Sequence, residues 1–283
     1  MTRRTFLQTG AFAMAAGHSL RAASSSASQN AGGPSTSLGA GRTTGSADFA
    51  SVKALVFDVF GTVVDWRTSV AHEVEAMAKS KGVKVDGVAF ADAWRAQYAP
   101  MMDQVRTGKL PWTKLDRLHR MILDRIVGDF GLSGLAESDR RLLNRAWHRL
   151  RPWPDSVPGL ARLKKKFILA PLSNGNISLM TDLARHSGLP WDCILGSELV
   201  RHYKPDPEVY LSTFDLLDLE RGEVMMVAAH LNDLKAAKAQ GLRTAFVARP
   251  LERGAGGPAD LKPDASVDLS AKDFVQLAMT LGA

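Results

Sequence analysis

Short apolar runs recur along this chain, and most stop abruptly at polar residues. Residues 52–57 run into Asp58, 167–172 into Ser173-Asn174 and 224–229 into His230, while 193–196 and 244–247 add two further runs. Runs this short, bounded by turn residues, read as strands buried on both faces rather than as helices. Between them, residues 178–187 and 234–240 carry helical spacing, and Gly241 stops the second. Strand and helix alternate, which predicts an α/β fold: a doubly wound, Rossmann-like parallel sheet with helices on both faces.

Residues 66–150 break that alternation. They hold no strand-like run, and Trp94, Tyr98, Met101 and Val105 recur at helical spacing, as do Leu115, Leu118 and Ile122, then Leu143, Trp147 and Leu150. Stripes of this kind are packing faces of helices. The expected organisation is an all-helical cap at 66–150 inserted into an α/β core made of 48–65 and 151–283. Leaving directly after the first strand, the cap is placed to cover that strand's polar end.

Composition removes several classes. No apolar run reaches the roughly 18 residues of a stable membrane span. Cys193 is the one cysteine, which excludes an intramolecular disulfide and any CxxC site. The net charge is +7, and Arg3, Arg4 and Arg21 hold three of those charges, leaving +4 for the rest. The basic stripe with interleaved aromatics that marks a nucleic-acid partner is missing. Lys164-Lys165-Lys166 is the tightest basic run and reads as the solvated end of a helix. At the amino terminus Arg3-Arg4 precedes Phe6-Leu7, a weakly apolar stretch at 9–20 and small residues near 22–27. This resembles a twin-arginine signal over 1–27, so the twin-arginine export machinery is an expected partner and the periplasm the expected location. Residues 28–47 are rich in Ser, Gly, Ala and Thr and read as a flexible linker.

In an open parallel sheet, ligands bind outside the carboxyl ends of the strands. The residues there are Asp58 to Thr62, Ser173-Asn174, Lys204, His230 and Asp233: two carboxylates, a lysine, hydroxyls, an amide and an imidazole on one edge. In sequence they stand as Asp58-Val59-Phe60-Gly61-Thr62, Leu172-Ser173-Asn174-Gly175-Asn176, Tyr203-Lys204-Pro205-Asp206-Pro207 and Asp233. These resemble the four ordered motifs of the haloacid dehalogenase superfamily, over residues 51–282. The resemblance implies that superfamily's fold.

Within it, phosphatases carry Asp-x-Asp and a Gly-Asp pair in the fourth motif. Here Phe60 replaces the second Asp, and Ala228-Ala229 replaces Gly-Asp. Phe60 cannot protonate a leaving alcohol, and so few oxygen ligands do not suit magnesium. No metal or other cofactor is expected, because a halide leaving group needs neither. The pattern is similar to the type II 2-haloacid dehalogenases, which act on (S)-2-haloalkanoic acids. Trp94-Arg95 stands where that family has its halide-binding arginine, and Tyr210 falls in Lys204-Pro205-Asp206-Pro207-Glu208-Val209-Tyr210 as it does there. The fourth motif departs from the family's Ser-Ser-Asn-x-x-Asp: Ala228 replaces a serine and His230 the asparagine.

The resemblance implies roles for these residues. Asp58 attacks the carbon bearing the halogen and forms an ester. Lys204 pairs with Asp58, and Thr62 braces it. Arg95 and Asn174 receive the halide, and Ser173 holds the substrate carboxylate. Phe60, Trp94 and Tyr98 form an apolar wall, and Tyr210 packs near Lys204. Water activated by Asp233, with His230, then cleaves the ester. A homodimer is also implied. Two alternatives are a magnesium-dependent phosphatase of the same fold and an exported binding protein with a stalled site. Asp155, His72, His119, His148 and His202 form no metal-ligand grouping, and 254–257 lacks the strand-to-helix context of a dinucleotide loop.

Overall fold

The computed structural model describes residues 49–283. The export signal expected at 1–27 and the linker expected at 28–47 lie outside the described residues. From the amino terminus the chain forms β1 (Ala54–Phe57), β2 (Val64–Asp65), α1 (Trp66–Ser80), α2 (Gly87–Ala96), α3 (Tyr98–Arg106), α4 (Leu115–Ile126) and α5 (Glu137–Asn144). A 3-10 turn at Arg145–His148 leads to β3 (Arg151–Pro152), α6 (Ser156–Leu163), β4 (Ile168–Ser173), α7 (Ile177–Ser187) and β5 (Leu195–Gly196). Then come α8 (Ser197–Val200), α9 (Pro207–Leu217), β6 (Val224–Ala228), α10 (Leu231–Ala239), β7 (Arg243–Val247), β8 (Leu269–Ala271) and α11 (Phe274–Thr280).

Six strands form one sheet in the order β5-β4-β1-β6-β7-β8, and every pair in it is parallel. β1 is fully buried, with Leu55 level with Leu169 on one side and Met225 on the other. Its side chains alternate between two cores. Leu55 and Phe57 belong to the core that includes α11, Phe57 meeting Phe274 edge-on at 5.4 Å, whereas Ala54 and Val56 belong to the core that includes residues of β6, α9 and α10. This is the doubly wound α/β fold expected from the alternation, and each large β1 side chain contributes about 1.5–3 kcal/mol by burial. The chain first builds β4 and β5 on one side of β1, then returns to build β6 to β8 on the other. The crevice at that reversal lies at the carboxyl end of β1.

Three strands had no clear sequence signal. Leu269-Ser270-Ala271 forms β8, an edge strand too short and polar to stand out. β2 and β3 pair antiparallel, Val64 with Pro152 and Asp65 with Arg151, so they join the points where the chain leaves for α1–α5 and returns. Asp65 also caps α1, its carboxylate accepting from the Thr68 N–H at 3.0 Å, which satisfies one orphan donor of that helix.

Helices α1–α5 enclose an aromatic core. Trp66 and Trp147 stack at 6.2 Å, and Trp94 meets Trp147 edge-on at 5.7 Å. Phe60, from the loop after β1, joins them edge-on to Trp147 at 5.7 Å. His119 stacks on Trp147 at 4.3 Å with neither ring nitrogen hydrogen-bonded, and burial pushes its pKa down to about 3. It is a neutral member of this core.

Candidate active site

The loop leaving β1 makes its turn at Gly61, whose φ of 91° lies in the region open to glycine. That turn returns Thr62 beneath Asp58. Thr62 Oγ1 donates to Asp58 Oδ2 at 2.8 Å and accepts the Ala229 N–H at 2.9 Å, so β1 and β6 hold one another at their carboxyl ends. Lys204, from the segment before α9, donates to Asp58 Oδ1 at 3.1 Å and to Asp233 Oδ2 at 2.5 Å. Tyr210, one turn into α9, donates to Asp233 Oδ1 at 2.6 Å. His230 completes the group, its Nδ1 lying 3.0 Å from Asp58 Oδ2.

Burial works against the charge on Asp58, but the Lys204 ammonium and the His230 ring outweigh it and hold the carboxyl far below the usual range. Burial also opposes the charge on Lys204, and Asp233 and Asp58 together overcome it, raising its pKa. Asp233 moves the other way: burial, reinforced by the nearby Asp58, raises it despite Lys204. Two adjacent carboxylates thus have separated proton affinities. The surroundings favour the ionised form of Asp58, and Asp233 is the one better able to accept a proton.

A cavity of about 440 Å³ opens above this edge, lined by Asp58, Phe60, Arg95, Tyr98, Asn174, Lys204, Tyr210, His230, Asn232 and Asp233, with Arg106 and Arg253 nearer the mouth. The Arg95 guanidinium lies over the Tyr98 ring at 3.9 Å, and its Nη1 is buried with no hydrogen-bond partner. A desolvated cationic donor without a partner is suited to a small anion. Asn174 Oδ1 accepts from Ser197 Oγ at 2.7 Å and from the Lys204 N–H at 2.8 Å, which leaves the amide NH₂ group for the cavity.

Most residues expected at the site therefore converge on one cavity. Two are placed elsewhere. Ser173 is fully buried at the end of β4, its Oγ accepting the Gly175 N–H at 3.0 Å, and it is not part of the cavity lining. Trp94 packs inside the helical core and donates from Nε1 to the His119 carbonyl at 2.9 Å, so Phe60 and Tyr98 supply the apolar wall.

Glu252, Arg253 and Trp66 belong to the site and had not been anticipated. Glu252 follows β7, is 3% exposed and lies 2.9 Å from His230 Nε2. The rule that singles out polar strand ends applies to β7 as well, where Arg249 and Glu252 follow the last apolar residues.

The superfamily's phosphatases imply magnesium, and the donor set here does not fit it. Phe60 and Ala229 offer no side-chain oxygen, and Asp58 and Asp233 already share the Lys204 ammonium. Magnesium needs near-octahedral oxygen ligation.

The haloacid dehalogenase-like hydrolase family model matches residues 52–241. The chain is 31% identical over 204 residues to (S)-2-haloacid dehalogenase 1 of Pseudomonas sp. strain CBS-3, covering 70% of this chain and 85% of that protein. Among solved structures, a defluorinating L-2-haloacid dehalogenase is 50% identical with a TM-score of 0.80, covering 82% of this chain and 96% of its own. A second L-2-haloacid dehalogenase is 50% identical with a TM-score of 0.77, covering 81% and 99%. With Asp58, Lys204 and Asp233 brought together at the carboxyl edge of the sheet, the chain belongs to the haloacid dehalogenase-like hydrolases.

Proposed function

We propose that the protein hydrolyses (S)-2-haloalkanoic acids to (R)-2-hydroxy acids and halide through an ester on Asp58. The observation that carries this reading is the company of Asp58. Its ionised carboxylate faces the cavity with two cationic groups and a hydroxyl around it, and Phe60 stands where a phosphatase needs an acid. Such a site can displace a leaving group that requires no proton. The names of the similar dehalogenases support it.

Asp58 attacks C2 of the substrate and the halide departs with the bonding electrons, inverting the carbon. Arg95 Nη1 and the Asn174 amide lie in the lining to receive the halide where negative charge develops. Phe60 and Tyr98 keep bulk water from the reacting carbon. Water then adds to the Asp58 carbonyl carbon as its proton passes to Asp233.

The test is halide release by chelator-treated protein from a panel of chloro-, bromo- and fluoroacids, with fluoroacetate included because one similar structure is of a defluorinating enzyme. A single turnover in heavy-oxygen water should place the label in Asp58. Absence of halide release, with phosphoester hydrolysis restored by magnesium, would overturn the reading in favour of a phosphatase.

A further inference from the structure

We propose that Glu252 and His230 together stabilise the oxyanion that forms on Asp58 Oδ2 while the ester is hydrolysed, His230 as the catalytic donor and Glu252 as its positioning residue. The inference rests on the dehalogenase reading above and adds a component to its second half-reaction.

The first support is a matter of donors and acceptors. His230 Nδ1 lies 3.0 Å from Asp58 Oδ2 and Nε2 lies 2.9 Å from Glu252 Oε2. An ionised carboxylate only accepts, so both ring nitrogens carry hydrogen and the ring is an imidazolium. It has no lone pair with which to take a proton from water. Its part in this proposal therefore differs from the expected sharing of water activation with Asp233. Burial opposes the imidazolium, but Asp58 and Glu252 outweigh it and its pKa is pushed up to about 10.

The second support is the asymmetry of Asp58. Oδ2 accepts from both Thr62 and His230, whereas Oδ1 accepts from Lys204 alone. Oδ1 is the oxygen freer to attack. Oδ2 then becomes the carbonyl oxygen of the ester and already has two donors aimed at it, one of them charged. That is the geometry of an oxyanion hole.

The third support is how firmly Glu252 is built in. Its Oε1 accepts from Trp66 Nε1 at 3.0 Å, at the start of α1. A Cβ at Gly61 would sit 2.3 Å from that oxygen, so the glycine makes room for the carboxylate as well as for the turn. Alkylation of Asp58 removes one of the two anions that hold the imidazolium. Glu252 remains, so the ring keeps its proton for the step that follows.

In that step the water oxygen bonds to Asp58 Cγ, its proton passes to Asp233, and the carbonyl π pair moves onto Oδ2. The His230 N–H and the Thr62 hydroxyl hold the oxyanion. Collapse re-forms the carbonyl and breaks the Cγ–Oδ1 bond. The 2-hydroxy acid leaves with Oδ1 and takes the proton from Asp233, and the second water proton, left on the new Asp58 oxygen, passes to solvent and restores the carboxylate.

The titratable and charged groups around the ring are Asp58, Lys204, Asp233, Glu252, Arg253 and Arg95, and of these only Glu252 is changed in the first test. Glu252→Gln is mixed with (S)-2-chloropropionate, chloride is followed in the first turnover, and the quenched protein is weighed intact. At pH 8 the chloride burst should slow by less than about tenfold while ester hydrolysis slows about a hundredfold, the loss expected on weakening one oxyanion donor. The ester should accumulate. The alkaline limb of ester hydrolysis should move down by more than one pH unit from its wild-type position, and acidification should restore hydrolysis, which damage to the fold would not allow. Where Glu252→Gln is unfolded by circular dichroism, His230→Ala takes its place: the ring donor to Asp58 Oδ2 is gone, ester should again accumulate, and the limb should vanish. Hydrolysis and its alkaline limb unchanged, or both half-reactions slowed equally at every pH, would overturn the inference. A wild-type protein that turns over while the variants accumulate no ester overturns this inference alone. A wild-type protein that releases no halide overturns the dehalogenase reading beneath it.

Discussion

Lys204 is buried between two carboxylates, so its removal changes both neighbours at once. Its Nζ reaches Asp58 and Asp233, and an opposite charge at that distance strongly favours an ionised carboxylate. With Lys204 in place Asp58 stays charged well below neutral pH, so halide release in the first turnover should be flat across the mildly acidic range. In Lys204→Met, two buried anions face each other without their shared cation, and the Asp58 pKa must rise. Activity belongs to the ionised form, which is lost as pH falls through the new, higher pKa. The expected outcome is first-turnover halide release reduced about 10²- to 10³-fold at pH 7, with an acid limb that the wild type lacks in the same range. A variant as active as wild type at pH 5.5 would show that Lys204 does not set the charge of Asp58.

At the scale of elements, the site depends on a loop held by a distant ion pair. Arg249, just after β7, donates from Nε to the Thr62 carbonyl at 2.8 Å and meets Asp155 at 2.7 and 2.9 Å through its two terminal nitrogens. Asp155, at the start of α6, also accepts the Phe274 N–H of α11 at 2.8 Å. One buried pair therefore ties the loop after β1 to β7, α6 and α11. Asp155→Ala leaves a guanidinium that is 7% exposed without its anion and should cost about 3–5 kcal/mol, read as a lower urea midpoint at pH 7. Burial raises the Asp155 pKa and Arg249 more than reverses it, leaving a depressed value. A depressed carboxyl contributes stability above its unfolded pKa and loses it as pH falls through the folded one. The gap between variant and wild type should accordingly narrow below about pH 4. An equal gap at pH 7 and pH 3 would exclude the ion pair as its source. This pair also marks what the sequence could reveal. Strands β1, β4 and β6 were legible because continuous apolar runs ended in reactive residues, and the motifs around Asp58, Lys204 and Asp233 followed from them. Arg249 and Glu252 were not, because they lie beyond Ala248 and on either side of Pro250-Leu251, and nothing local shows that the chain turns back beneath Asp58. Their partners, Asp155, Thr62, Trp66 and His230, lie up to 187 residues away in the chain, and such pairings exist only once the sheet has assembled. Ser173 failed differently: its position at the end of β4 was legible, but its side chain turns to the Gly175 N–H.

For the whole molecule, charge is concentrated where an anionic substrate enters. The chain carries a net +7, and Arg95, Arg106, Lys204, Arg253 and the His230 imidazolium line a cavity whose acids are Asp58, Asp103 and Asp233. Arg106 is engaged with Asp103 and Asp206, and Lys204 with Asp58 and Asp233. The charges left to meet a carboxylate are those of Arg95, inside, and Arg253, at the mouth. A low-dielectric cleft with excess cation raises the local concentration of small anions, and ions screen that attraction over about 8 Å at physiological ionic strength. The KM for (S)-2-chloropropionate should therefore rise about three- to tenfold between roughly 10 and 300 mM ionic strength, while kcat, which follows steps inside the cavity, changes little. Sulfate is the salt to use, since chloride is itself a product. Arg253→Ala should flatten that dependence and raise KM at low salt, because its exposed guanidinium lines the cavity. A KM indifferent to ionic strength in the wild type would mean that substrate is held by short contacts within the cavity and not drawn in by the field at its mouth.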